Sequence, residues 1–272
     1  MTFIAAELRG EFNEDLLFKQ VSSLSGETFR EVKDRRTFKF KVGNHYYFAK
    51  VHFGVGWREI FKNLFQLRLP VLGAANEWHA IRKLETLKIE TMTPVAFTSS
   101  GVNPARIHSC LVTESLEHTT SLEDLVLGNK LNWRLKRQLL EKVGSIARVL
   151  HENGVNHRDF YICHFLLPNA ALRDGVIKEL YLIDLHRAQI RNQRVPRRWR
   201  EKDLSALLFS AADAGLTRTD LIRFLRAYLG ADYRVSFARE RSFWNQVHAR
   251  AERLYLKDHG QISRFLQNLR PG

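Results

Sequence analysis

Two aspartates carry the chemistry this chain could do: Asp159, in His157-Arg158-Asp159, and Asp184, in Ile183-Asp184-Leu185. Asp159 follows a long amphipathic stretch and the loop Leu150-His151-Glu152-Asn153-Gly154-Val155-Asn156. Asp184 closes a short apolar run, Leu180-Tyr181-Leu182-Ile183. Phosphoryl transfer from a nucleotide needs such a pair. One carboxylate orients and deprotonates the attacking hydroxyl, and the other holds the magnesium that bridges the phosphates. A cation on the phosphates completes the set. Lys50 would contact the α- and β-phosphates of ATP, and Glu77 would fix Lys50 by pairing with it, with Glu59 as a rival partner.

The elements that must position these residues are legible from periodicity. Thr28–Val32, Thr37–Val42 and His45–Val51 read as three strands, Phe38, Phe40 and Val42 alternating against Lys39 and Lys41. Lys33-Asp34-Arg35-Arg36 and Gly43-Asn44 read as the turns between them. Lys50 falls near the end of the third strand. Trp57, Ile60, Phe61, Leu64 and Phe65 form an apolar stripe at helical spacing, expected to be core, with a membrane or lipid contact as the rival reading. Ala74–Leu87 is the helix with Glu77. Thr93–Thr98 and Ile107–Thr113 are further strands. The segment through Glu114 runs into a hinge whose backbone would face adenine. Residues 1–26 read as a polar, partly helical lead-in.

From Ser121 onward helices dominate. Ser121 and Asn132 are in N-cap positions. The second opens a long helix with Leu135, Leu139, Leu140, Val143, Ile146, Ala147 and Leu150 on its buried face. Phe165–Leu167 and Glu179–Ile183 read as a hairpin around Arg173-Asp174-Gly175, and the chain from Arg200 as helices broken near Gly215 and Gly230. The expected architecture is α+β and two-lobed: residues 1–114 a small antiparallel sheet lobe clamping ATP, residues 115–272 a larger, mainly helical lobe with the catalytic loop, metal site and substrate site.

Composition narrows the partners. Of 272 residues, 44% are hydrophobic, enough for a sizeable core. No apolar run is long enough for a membrane-spanning helix. The acidic N-terminus lacks the basic and apolar regions of a signal peptide, and Cys110 and Cys163 make no disulfide framework, so a cytoplasmic location is expected. The net charge of +14 favours an anionic partner: a nucleic acid, an acidic lipid surface, an anionic glycan or an acidic protein. No nucleic-acid motif is present, so nucleic acid is not expected. His151, His157, Cys163, His164 and His186 match no usual zinc spacing.

Lys50, Glu77, His157-Arg158-Asp159 and Asp184 resemble the protein-kinase-like superfamily. Asn156 through Leu167 and Ile183 through Arg191 are similar to a narrower group, the bacterial lipopolysaccharide core heptose(I) kinases. Val195-Pro196-Arg197-Arg198-Trp199-Arg200 and Leu69-Pro70-Val71-Leu72-Gly73-Ala74 resemble that family too, and the likeness covers nearly the whole chain. It implies phosphorylation of an inner-core heptose by ATP and Mg2+ at the cytoplasmic face of the inner membrane.

The chain departs from the general kinase pattern in three places. It has no Gly-rich phosphate loop, and Arg35 and Arg36 are candidate phosphate clamps in its place. His164 stands where an asparagine ligand is expected. Either His164 binds the metal, or it hydrogen-bonds the loop and water completes the coordination. His186 replaces the glycine that follows the metal-binding aspartate by two. The resemblance also implies that Asp203 anchors the catalytic loop as a helix-start aspartate, with an ordinary N-terminal helix charge as the alternative; His157 and Arg158 read as structural. Between Asp184 and Glu201 there is no acid, and Arg187, Arg191, Arg194, Arg197 and Arg198 are the candidate acceptor-binding residues, with Arg200 in the same run.

Overall fold

The computed structural model describes residues 1–32, 34–65 and 70–269, without the side chains of Asn63 and Leu64. Lys33, the side chain of Leu64 and Leu69, which entered the sequence reading, lie outside the described residues. The chain divides into two compact units. One comprises residues 1–83, 92–117 and 185–187, and the other residues 84–91, 118–184 and 188–272.

The first unit is built on a six-stranded antiparallel sheet. Its strands are β1 (Thr2–Ile4), then, after α1 (Leu17–Ser23), β2 (Glu27–Val32), β3 (Arg35–Val42) and β4 (His45–His52). Helices α2 (Gly56–Phe65) and α3 (Ala75–Thr86) follow, then β5 (Pro94–Ser100) and β6 (His108–Glu114). The sheet order is β1-β5-β6-β4-β3-β2. Alternation decides its faces. Phe38, Phe40, Tyr47, Ala49 and Val51 are buried on one face under Leu8, Phe12, Leu17 and Val21. Lys50, out of phase with them by one residue, projects from the other.

Three expectations are corrected in this unit. Residues 1–26 are not a polar lead-in: they supply edge strand β1, α1 and five core side chains, Ile4, Leu8, Phe12, Leu17 and Val21. Their apolar residues are too sparse to show a period, and the sheet face recruits them singly. Arg35 and Arg36 lie in β3, paired with His52 and Val51, rather than in the turn. The stripe on α2 is not core: Ile60 is buried, but Trp57, Phe61 and Phe65 are exposed, the last at 88%. Among the described elements, α2 packs chiefly against residues 104–106.

The second unit contains β7 (Thr119–Ser121), α4 (Leu122–Leu127), α5 (Trp133–Glu152), β8 (Val155–Asn156), β9 (Phe165–Pro168), α6 (Asn169–Asp174), β10 (Tyr181–Leu182) and β11 (Gln189–Ile190). Helices α7 (Arg197–Ser210), α8 (Arg218–Leu229), α9 (Tyr233–Arg239), α10 (Arg241–His259) and α11 (Arg264–Asn268) complete it. The caps act as expected: Ser121 Oγ accepts from the Asp124 amide at 3.0 Å and Asn132 Oδ1 from the Leu135 amide at 2.9 Å. Helix α5 buries its stripe against α8. Gly144 permits that packing, since a Cβ there would come within 2.8 Å of Ala227 Cβ. The fourth correction is the hairpin: β9 and β10 do pair, but Asn169–Asp174 coils into α6, stopped by Gly175 in the left-handed conformation.

The candidate active site

In the first unit, Lys50 Nζ lies 2.6 Å from Glu77 Oε1. Glu77 is 2% exposed. A charge so buried is retained because it has a charge-assisted partner. The rival Glu59 turns outward on α2 and meets Lys62 at 3.3 Å. Beside Glu77, the Asn76 amide donates to the carbonyl of His186 at 2.8 Å, so residues 185–187, Arg187 among them, belong to this unit. Buried His52, beside Arg35, Lys50 and His186, is pushed down to about 4 by burial first and by those cations second. Glu114 ends β6, its amide donating to the Thr93 carbonyl at 2.9 Å. Arg36 is turned inward, donating to the Leu24 carbonyl at 3.1 Å with its guanidinium 4.2 Å from the Phe38 ring centre.

In the second unit, α5 ends at Glu152, and Gly154 turns the chain with φ +78°. A Cβ on Gly154 would overlap the carbonyl oxygens of Arg191 and Gln193. That close approach lets β8 pair with β11, Gln189 opposite Asn156. The pairing ties the start of the loop holding Asp159 to the segment after Asp184.

Asp203 holds the same loop from within. It is 1% exposed and accepts from the amides of His157 at 2.8 Å and Arg158 at 2.9 Å. His151 Nε2 lies 3.3 Å from it, while His151 Nδ1 meets the Tyr228 hydroxyl at 2.9 Å. Burial raises Tyr228 to about 12, so its hydroxyl keeps its proton and donates to Nδ1, leaving Nε2–H for Asp203. Asp203 occupies the second turn of α7, not its start. His157 Nε2 donates to the Ile183 carbonyl at 2.9 Å, and burial lowers its pKa, so the ring is a neutral strut between the two aspartate segments.

His164 joins those segments a second time. Its Nδ1 is 2.7 Å from the carbonyl oxygen of Asp159. A carbonyl only accepts, so Nδ1 carries the proton. Nε2 then faces the Asp184 carboxylate at 3.5 Å. Asp184 adopts φ +61° and Arg158 φ +73°, a conformation uncommon outside glycine and concentrated at functional loops. Among the described residues no three His, Cys, Asp or Glu side chains gather as a metal cluster. The donor set suits a cation that takes one carboxylate from protein and the rest from phosphate and water, which is the habit of magnesium.

The arginine run divides by what each side chain touches. Arg197 donates to Ser242 and Gln246 and covers the Phe243 ring, and Arg200 meets Glu240 at 3.1 Å. Both are committed to α10 and the residue before it. Arg194 is largely exposed, 3.9 Å from Glu152. Arg191 donates to Asn156 and Gln189. Arg191 and Arg198 lie over Trp199, as do Arg158 and Lys202. Sequence reasoning passed over Trp199 and Lys202. The signal was the spacing of Arg198 and Lys202 four apart on α7, which puts both on one face around the ring.

A lysine-bearing antiparallel sheet with its glutamate partner on α3, and a helical unit with two aspartate loops, are the features of a protein-kinase-like fold and an ATP-dependent phosphotransferase. The chain belongs to the lipopolysaccharide kinase (Kdo/WaaP) family, whose family profile matches residues 19–228. It is 44% identical over 242 residues to the lipopolysaccharide core heptose(I) kinase WaaP of Escherichia coli K12, covering 87% of this chain and 90% of that protein. It is 46% identical over 245 residues to the Pseudomonas aeruginosa protein of the same name, covering 88% and 90%. A solved structure of WaaP in complex with acyl carrier protein superposes with a TM-score of 0.77 at 39% identity, covering 94% of this chain and 99% of that one.

Proposed function

We propose that this protein transfers the γ-phosphate of ATP to a heptose hydroxyl of the lipopolysaccharide inner core. The observation that carries the reading is the double tie between the Asp159 and Asp184 loops through His157 and His164. Two carboxylates held in one frame suit a base and a metal ligand. Asp159 accepts the proton of the attacking hydroxyl. Asp184, whose carboxylate faces His164 Nε2 at 3.5 Å, would hold Mg2+, which would supply neutralisation of the phosphate charge. Lys50, held by Glu77, takes phosphate oxygens, and the backbone ending at Glu114 receives adenine. Arg35 remains a candidate for phosphate. Arg36 suits that role poorly, because its guanidinium is spent on Leu24 and Phe38. Arg187, Arg191, Arg194 and Arg198 are the cations of the basic run we assign to the acceptor, while Arg197 serves α10. Incubation with labelled ATP and purified inner-core glycolipid, against free sugars and peptides, tests this. Label in the glycolipid alone is expected, and label in peptide alone would reject the sugar substrate.

Two partners fit the same reading. The structural neighbour was solved with an acyl carrier protein. Here a cavity of about 530 Å³ in the second unit is lined by apolar side chains including Leu139, Val143, Leu207, Phe224 and Trp244. An acidic carrier on a protein of net charge +14, its acyl chain in that cavity, is the partner we assign. Co-purification of an acylated carrier, lost on substituting Val143→Arg, tests it. The second partner is the inner-membrane surface at its cytoplasmic face. None of the described helices is long and apolar enough to cross a membrane. The exposed Trp57, Phe61 and Phe65 of α2, flanked by Arg58 and Lys62, suit peripheral contact.

A further inference from the structure

The sheet face that carries Lys50 also holds an aromatic pair with no part in the core. Glu27 pairs with Lys39 and Lys39 with Phe48, so all three point to the side from which Lys50 projects. Alternation from Glu27 puts Phe29 on that side too. The register shifts between Thr28 and Arg30, which sets Phe29 at a bulge of the edge strand, a device that re-aims a side chain. Strand β3 runs between β2 and β4, so the backbones of Phe29 and Phe48 stand about 10 Å apart. Their ring centres are nonetheless 5.2 Å apart, the planes inclined at 52°. The two rings lean toward each other over β3 and make one apolar surface. Solvent reaches it: Phe29 is 58% exposed and Phe48 is half-buried. Lys39, opposite Phe48, is drawn aside to Glu117 at 2.8 Å and to the Tyr46 ring at 4.5 Å. One exposed phenylalanine needs no explanation, but two held in contact on a strand face suit a flat ligand. The rows of that face have an order. Lys39–Phe48 comes first, Thr37–Lys50 next and Arg35–His52 last, toward the turn between β2 and β3. A nucleotide has the same order: flat base, sugar, phosphates. Phe48 also pairs across with Thr113, the residue before Glu114.

We propose that Phe29 and Phe48 form a stacking platform for the base of the nucleoside triphosphate, which runs along this face past Lys50 toward Arg35. This rests on ATP being the phosphoryl donor. At an inclination of 52° one ring lies flat on the base while the other meets it edge-on, and both are favourable aromatic geometries. Stacking on side-chain rings is a large part of the affinity wherever proteins hold bases away from a duplex. In a chain without a Gly-rich phosphate loop, it supplies binding energy that backbone amides over the phosphates would otherwise give.

The test measures equilibrium binding of ATP and of inorganic tripolyphosphate to the full chain by titration calorimetry, with no acceptor present. The proteins are the unmodified chain, Phe29→Ala, Phe29→Trp, Phe48→Leu and, as an exposed control in the same unit, Val102→Ala. Phe29→Ala is expected to raise the Kd for ATP about tenfold, the scale of one lost base–aromatic stack. Phe48→Leu, which keeps apolar bulk and loses the ring, should raise it about fivefold. Phe29→Trp should stay within about twofold of the unmodified protein, because it restores a stacking face. Tripolyphosphate has no base, so its affinity should be the same in every variant, which also reports that the phosphate-binding face is intact. Unchanged ATP binding in Phe29→Ala and Phe48→Leu would overturn the platform and leave the kinase assignment standing. So would an equal loss of tripolyphosphate binding, no recovery in Phe29→Trp, or an equal rise from Val102→Ala. Failure of the unmodified protein to bind ATP would remove the assignment and the platform together.

Discussion

Four carboxylates are candidate functional groups, one in the first unit and three in the second, and they fall into two pairs of opposite character. Glu77 and Asp203 are almost wholly buried and saturated, Glu77 by a lysine at 2.6 Å and Asp203 by two amides and an imidazole. Asp159 and Asp184 are half-buried, on loops whose backbones are pinned at the adjacent residues. The difference teaches how the fold divides labour. Buried carboxylates fix position because leaving any of their partners unpaired is costly. Reachable ones stay open to solvent and so to a ligand.

Substitutions can break or sharpen that contrast. The largest effect is expected at Asp184→Asn, which keeps the shape and tolerates the positive φ. It should lower kcat by at least about 10³-fold with little change in Tm. Asp159→Asn should cost about 10²–10⁴-fold in kcat, again with Tm preserved. If either lowered Tm as much as loss of a buried carboxylate, the two pairs would not differ in kind. Asp203→Ala should do both, removing about 2–5 kcal/mol of stability by urea unfolding and lowering kcat as the loop loses its anchor. Unchanged stability there would erase the contrast from the other side.

A gentler effect concerns pH. His52 titrates near 4 in the folded protein against about 6.5 unfolded, so the unfolded chain binds the extra proton between those values. Stability is fully present above about 6.5 and lost as pH falls toward 4, by roughly 3 kcal/mol. His52→Gln should flatten that dependence in urea midpoints measured across the window. The smallest effect is expected at α2. Phe61→Ser and Phe65→Ser should weaken flotation with anionic vesicles without altering Tm by more than about 2 °C, because exposed side chains contribute little to folding. A large fall in Tm would return the stripe to the core.

Comparing α2 with α5 shows where the sequence stopped being informative. Both carry apolar residues at helical spacing, yet α5 packs on α8 while Trp57, Phe61 and Phe65 remain in solvent. A period shows which side chains share a face. It does not show whether another element covers it. Strands β3, β4 and β6, helices α3 and α5 and both caps were legible because alternation, helical spacing and capping are local. Strands β1, β7, β8 and β11 are two or three residues long and carry no period of their own, whereas the apolar runs of β9 and β10 were legible as a pair. The site was legible in part for the same reason. Asp159 and Asp184 announced themselves by local context, whereas Trp199 and Lys202 gained meaning only when Arg158 and Arg191 arrived from other segments.

The sequence by itself determined the residue types and their order: a strand lysine, a helical glutamate, two loop aspartates and a run of arginines. Only the tertiary structure decided that Glu77 rather than Glu59 takes Lys50. It also decided that Asp203 reaches the His157 and Arg158 amides, and that the arginines part between α10 and Trp199. The physical reason is that hydrogen bonds and ion pairs act over a few ångströms. Which groups come that close across dozens of residues is settled by how helices and strands pack, and no local pattern encodes it.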